Sequence, residues 1–181
     1  MSAVRFLNRS LLAFTWLPEF NVAVFAVLLN YPWEFLQVPL FDRLANARHW
    51  EAIKMCTVAA LGDAVIMLAA YGFVAAIAAS RRWIFAPSAP QLALFVATGL
   101  SITAVIEWLA RHGRWIEGWS YSALMPIVPG IGIGLAPLLQ WIVLPPLVVW
   151  FVRRQLAAAP GGGAVDGRAR GLPERQRIDT D

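Results

Sequence analysis

Four apolar runs, at residues 20–41, 55–79, 91–110 and 131–152, occupy most of the 181-residue chain. Each is close to the roughly 20 residues a helix needs to cross the hydrocarbon of a bilayer. A strand of a transmembrane barrel needs only about half that length and alternates apolar with polar residues, which these runs do not do. Helices of a water-soluble bundle would each keep a polar face, and that is missing too. The expectation is an all-α, polytopic membrane protein: a bundle of four transmembrane helices over residues 20–152, with a short interfacial lead-in (1–19) and a disordered cytoplasmic tail (153–181). With 59% hydrophobic and 14% charged residues, the chain falls well below the roughly 25% charged residues of soluble domains.

In the lead-in, Arg5 and Arg9 precede Leu11, Leu12, Phe14 and Trp16. No small-residue cleavage site follows, so an interfacial helix is expected rather than a secretory signal. From Ala157 the chain turns to Ala, Pro, Gly and alternating charge, too little apolar surface to offset the entropy of ordering.

Arg5, Arg9, Arg81, Arg82, Arg153 and Arg154 fall on the side that holds both termini, and Arg43, Arg48, Lys54, Arg111 and Arg114 on the other. The excess favours cytoplasmic N- and C-termini. Lys54 is the sole lysine and alanine is abundant, a usage that points to a GC-rich bacterium and hence to its inner membrane. Because the arginines sit between apolar runs or in the tail, the net charge of +4 reflects membrane orientation and gives no amphipathic basic face for nucleic acid. The partners expected are the bilayer and either a second copy of the chain or another membrane protein. Cys56 is the only cysteine, which excludes an internal disulfide and a C-x-x-C redox pair. No cofactor motif is present. Gly130, Gly132 and Gly134 alternate without a preceding strand, so they do not form a nucleotide loop. With Pro126 and Pro129 they predict a broken or re-entrant start to the fourth span, which Pro137, Pro145 and Pro146 keep irregular, and such backbone lines a cavity.

Three carboxylates fall inside the spans: Glu34, Asp63 and Glu107. An acid at the centre of a membrane helix costs roughly 2.5–3.5 kcal/mol, so such residues normally face the protein interior and mark a site. At 1.5 Å per residue, Glu34 lies about 10 Å from Phe41, Asp63 about 12 Å from Met55, Gln140 about 14 Å from Ile131, and Glu107 about one turn from Arg111. All four depths are measured from the non-cytoplasmic side, so the spans place polar groups in one half of the bilayer. Asn30, Glu34 and Gln37 follow i, i+4, i+7 spacing and form a polar stripe on the first helix, around Pro32. Thr103, Glu107, Arg111 and Arg114 share a face if the third helix continues, where Glu107 and Arg111 are placed to pair. His112 follows at the mouth of this layer.

The candidate catalytic residues are Glu34, Asp63 and Glu107. The candidate binding residues are Asn30, Gln37, Trp33, Trp108, Arg111, His112, Arg114 and Gln140. Trp33 and Trp108 each adjoin an acid, where an indole can wall a pocket or stabilise positive charge. The plainer alternatives are that Glu107 snorkels or pairs with Arg111, and that Asp63, beside Ala59, Ala60 and Gly62, serves helix packing. The Trp33-Glu34 pair resembles that of membrane-bound terpene and lycopene cyclases, which use acids as proton donors. The likeness covers two or three residues and carries no residue assignment. Three functions follow from this reading: an intramembrane enzyme acting on an apolar lipid or isoprenoid-like substrate by acid catalysis, an oligomeric proton- or cation-coupled transporter, and an accessory subunit of a membrane complex. A metal site built from His112, Glu107, Asp63 and Glu34 is a minor variant, and none is assigned.

Overall fold

A computed structural model describes residues 15–113 and 120–157. The expected interfacial lead-in before residue 15, the tail beyond 157, and Arg114 all lie outside the described residues. Four long helices form: α1 (Pro18–Gln37), α2 (His49–Ile77), α3 (Ala89–Arg111) and α4 (Leu135–Ala157). No strand occurs among the described residues. Three of the four, α2, α3 and α4, are long and apolar enough to cross a membrane. α1 is not among them: Asn21, Asn30, Glu34 and Gln37 interrupt its apolar character, and all four are buried.

The helix limits depart from the apolar runs where capping chemistry overrides hydropathy. α1 starts with Pro18 in its first turn, where a missing N–H costs nothing. It stops at Gln37 instead of running to Phe41, because Val38–Leu40 tighten into a 3-10 turn around Pro39 and Asp42–Ala45 form a separate helical turn. α2 begins at His49, six residues before the apolar run. Its first turn is amphipathic and carries the Lys54–Glu51 ion pair at 2.9 Å. In α3, Ser88 and Gln91 exchange side-chain-to-backbone hydrogen bonds in a capping box. α4 starts at Leu135, not Ile131. Residues 128–134 turn back on themselves instead, with Gly130 and Gly132 at φ of 85° and 67°, a left-handed conformation that glycine adopts without a Cβ penalty.

Each helix packs on two neighbours, in the cyclic order α1, α2, α3, α4 and back to α1. The bundle is apolar at one end and polar at the other. At the apolar end, Val22, Met67, Tyr71, Val74, Phe95 and Val148 form the core, with the Trp83 ring between those of Tyr71 and Phe95 at 5.7 and 5.5 Å. Arg81 in the following loop pairs with Glu19 of α1 at 2.6 Å, and the Tyr71 hydroxyl donates to the Arg81 carbonyl. Near the middle, Trp141 of α4 lies flat on Gly99 of α3. A Cβ at that glycine would stand 2.1 Å from two atoms of the indole, so only glycine allows this approach.

Candidate functional site

The polar end of the bundle is organised by one side chain of α4. The Gln140 Nε2 donates to Asn30 Oδ1 at 2.7 Å, to Asp63 Oδ2 at 2.7 Å and, more weakly, to Glu34 Oε1 at 3.3 Å. A primary amide has two hydrogens, so the two short bonds take them and Glu34 receives the residual interaction. Its main donor is Gln37 Nε2 at 2.8 Å. The direction of the network is set at its base: Asn30 Nδ2 donates to the Ala26 carbonyl one turn back at 2.7 Å, which leaves Asn30 Oδ1 to face Gln140. Asn30, Glu34, Gln37 and Gln140 are all buried, while Asp63 is half-buried. The Cys56 thiol lies 3.8 Å from the Glu34 carbonyl.

Glu34 and Asp63 open onto a cavity of about 750 Å³ that Glu107 also lines, so α1, α2 and α3 each contribute one acid to a single space. Most of the remaining wall is apolar, including Phe41, Met55, Val58, Ile66, Ile106 and Pro137, and Arg43, Glu51 and Lys54 stand at its outer rim. Gln37 and Thr103 line it as well. The Gln37 Oε1 and the Thr103 Oγ1 are buried without a hydrogen-bond partner.

The loop before α4 closes the polar end. Ser120–Ser122 pairs with Leu40–Asp42 through backbone hydrogen bonds of 3.1 and 2.9 Å, with the Phe41 and Tyr121 rings 5.5 Å apart. The Tyr121 hydroxyl donates to Glu107 Oε2 at 2.5 Å and accepts from the Gly134 N–H at 3.0 Å. Burial, reinforced by the Glu107 carboxylate, holds the Tyr121 phenol above its ordinary value. A raised folded value means that the native state favours the neutral phenol. Its contribution to stability is then fully present below about pH 10, where an unfolded tyrosine ionises, and is lost as pH rises beyond it. Tyr121→Phe is expected to remove this alkaline sensitivity while lowering thermal stability by about 1 kcal/mol at neutral pH. Melting temperatures of both proteins between pH 7 and pH 11 check this, and an unchanged alkaline profile in the variant would sink the assignment.

Other candidates lie elsewhere. Trp108 is 44% exposed and stacks on His112 with ring centroids 4.4 Å apart, both outside the cavity wall. The pocket-wall reading of Trp108 is therefore corrected: its position on α3 points away from Glu107. Trp33 is half-buried but does not line the cavity. Arg111 donates to the Gly132 carbonyl and lies over the Tyr121 ring at 4.9 Å, bracing the loop. Among the described residues, no three of His, Cys, Asp and Glu come close enough together to hold a metal ion. The loop at 120–134 is irregular as expected, yet none of its prolines and glycines lines the cavity, which only Pro137, inside α4, does. Thr103 shares the Glu107 face of α3 by its spacing but was not among the candidate site residues, and neither was Tyr121.

The fold and the site together define a helical bundle, with three helices long and apolar enough to cross a membrane and an acid-lined cavity at one end. Comparison with known protein families, curated proteins and solved structures finds no match to this chain.

Proposed function

We propose that the chain spans a bacterial inner membrane four times with both termini in the cytoplasm, and that it is an enzyme converting an unsaturated apolar lipid by acid catalysis. α1 supports the fourth span: its 20 residues reach about 30 Å, and the polar residues that lower its hydropathy are the ones buried against its neighbours. The observation that carries the activity is the pairing of Glu34 and Asp63, both within reach of one Gln140 nitrogen at the wall of an otherwise apolar cavity. An accessory subunit would turn these groups outward to its partner, whereas Glu34 and Gln140 are buried within the single chain.

Two carboxyls held together in a low-dielectric site share a proton, which makes one an acid and the other its complementary base. In the proposed step the acid's proton adds to one carbon of a C=C bond, whose π electrons form the new C–H bond. The neighbouring carbon becomes cationic and is stabilised by the adjacent carboxylate. Either a neighbouring C–H then loses its proton to the carboxylate, or a second C=C of the same molecule first closes a ring onto the cation and a C–H beside the new cationic carbon loses its proton in the same way. The proton is returned, no electrons are gained or lost, and the product is an isomer of the substrate.

Glu34→Gln, which keeps shape and hydrogen bonding, is expected to lower turnover by about 10²–10⁴-fold with an unchanged melting temperature. Membranes expressing the protein, incubated in D₂O, should yield an isomerised lipid bearing deuterium at carbon. Full activity in Glu34→Gln, or product without deuterium, overturns the proposal.

A further inference from the structure

The two orphaned polar atoms share a level in the bundle. Trp141 rests on Gly99, and Gln140, its neighbour in sequence, bonds to Glu34 and Asp63, so Gly99 and the acid pair stand at similar depth. Thr103 lies four residues beyond Gly99 toward the Arg111 end of α3, and Gln37 three residues beyond Glu34 toward the same end of the bundle. Both therefore sit about one turn, roughly 5 Å, outward of the acid pair. Both are more than nine-tenths buried, at 6% and 8% exposure, both line the cavity, and Gln37 Oε1 and Thr103 Oγ1 are left without a partner. Orphaned polar groups at such a site are costly unless a ligand completes them.

We propose that this pair receives the hydroxyl head group of a lipid alcohol, which is then the class of substrate the acids act on. The chemistry of the two atoms selects it. Gln37 Nε2 gives a hydrogen to Glu34, and the amide atom left without a partner is the oxygen, which only accepts. A head group without a donor, such as an ester or a fully ionised phosphate, would leave that oxygen unanswered. The Thr103 hydroxyl both donates and accepts, and a ligand hydroxyl does the same, so one O–H can donate to Gln37 while accepting from Thr103. An ammonium could donate to both, but it would bring a charge into a cavity with an apolar wall and take up the negative charge of the pair that holds the catalytic proton. With the oxygen at this level, the reacting carbons lie about 5 Å along the chain, beside Glu34 and Asp63.

The hydrocarbon has a way in. Val58, 71% exposed, and the exposed Gly62 both line the cavity, and a Cβ on Gly62 would meet nothing within 4 Å, so the cavity reaches the bundle surface beside these small side chains of α2. A chain entering from the surrounding lipid would pass Val58 and Gly62.

This inference rests on the cavity being the substrate site, but its test reads binding and not turnover, so the two can fail separately. The full chain in nanodiscs of saturated phosphatidylcholine is titrated with radiolabelled hexadecanol, hexadecane and hexadecylamine. The alcohol is expected to bind about tenfold more tightly than the alkane, and Thr103→Val to erase that margin, as loss of one satisfied buried hydrogen bond implies. Thr103→Ser should restore it, and Gly62→Leu, which adds bulk in open space, should weaken alcohol and alkane alike. Equal binding of alcohol and alkane to the unaltered protein overturns the proposal whatever the variants do. Tightest binding of the amine, or an undiminished margin in a folded Thr103→Val, overturns it too.

Discussion

Gly99→Ala is expected to lower the stability of the bundle by about 3 kcal/mol, the upper end of the range for overpacking a close-packed interior. The new methyl would stand 2.1 Å from the Trp141 Cε3 and Cζ3, a separation no rotamer change of alanine can relieve. Trp141 is 1% exposed and fully enclosed, so relief requires α3 and α4 to separate. Because Gln140 adjoins Trp141, that movement would also draw its amide away from Asp63 and Glu34. For a chain of this size the destabilisation corresponds to a fall in melting temperature of roughly 6–12 °C, measurable by circular dichroism in mild detergent. Trp141→Leu should be destabilising alone, through the cavity it leaves, yet should offset much of the Gly99→Ala cost in the double variant. Simple additivity of the two losses would show that the indole does not rest on this glycine.

Gln140→Leu has the second large effect. Leucine fills a similar volume but supplies no donor, so Asn30 Oδ1 and Asp63 Oδ2 lose bonds of 2.7 Å and Glu34 loses the weaker one. Hydrogen bonds between membrane helices contribute about 1–2 kcal/mol at most, because the unfolded chain in the bilayer also finds partners. Two strong bonds together therefore put the loss at about 2–4 kcal/mol. Gln140→Glu is a sharper probe, since it replaces the shared donor with a third carboxyl beside Glu34 and Asp63. At pH 7 it is expected to destabilise the protein more than Gln140→Leu, because it adds an acceptor and a charge where a donor stood. If the two variants melt together at pH 7, the amide is not the shared donor of the acid pair.

The polar stripe of α1 was legible in the sequence because helical phase is local: residues at i, i+4 and i+7 share a face wherever the helix is placed. Depth was equally legible. By helical rise Glu34, Asp63 and Gln140 stand at similar levels, and the Gln140 amide nitrogen reaches both acids. The errors came where local chemistry overrode hydropathy. Apolar runs extend through Phe41 and begin again at Ile131, but Pro39 and the left-handed Gly130 and Gly132 end or delay the helices there. Trp108 was misplaced for a different reason. Adjacent residues on a helix point about 100° apart, so a neighbour of a buried acid, as Trp108 is of Glu107, has no reason to share its cavity.

The sequence by itself determined that the chain forms long apolar helices and that its acids fall in one half of the bundle, since both follow from runs and spacings along one chain. Only the tertiary structure decided that α1, α2 and α3 turn those acids toward one cavity, that Gln140 joins two of them, and that Gln37 and Thr103 are left with unanswered polar atoms. The reason is rotational. Hydropathy fixes how deep a residue lies but leaves each helix free to turn about its own axis, and that angle is set by contacts between helices, as the seat of Trp141 on Gly99 does for α3 and α4.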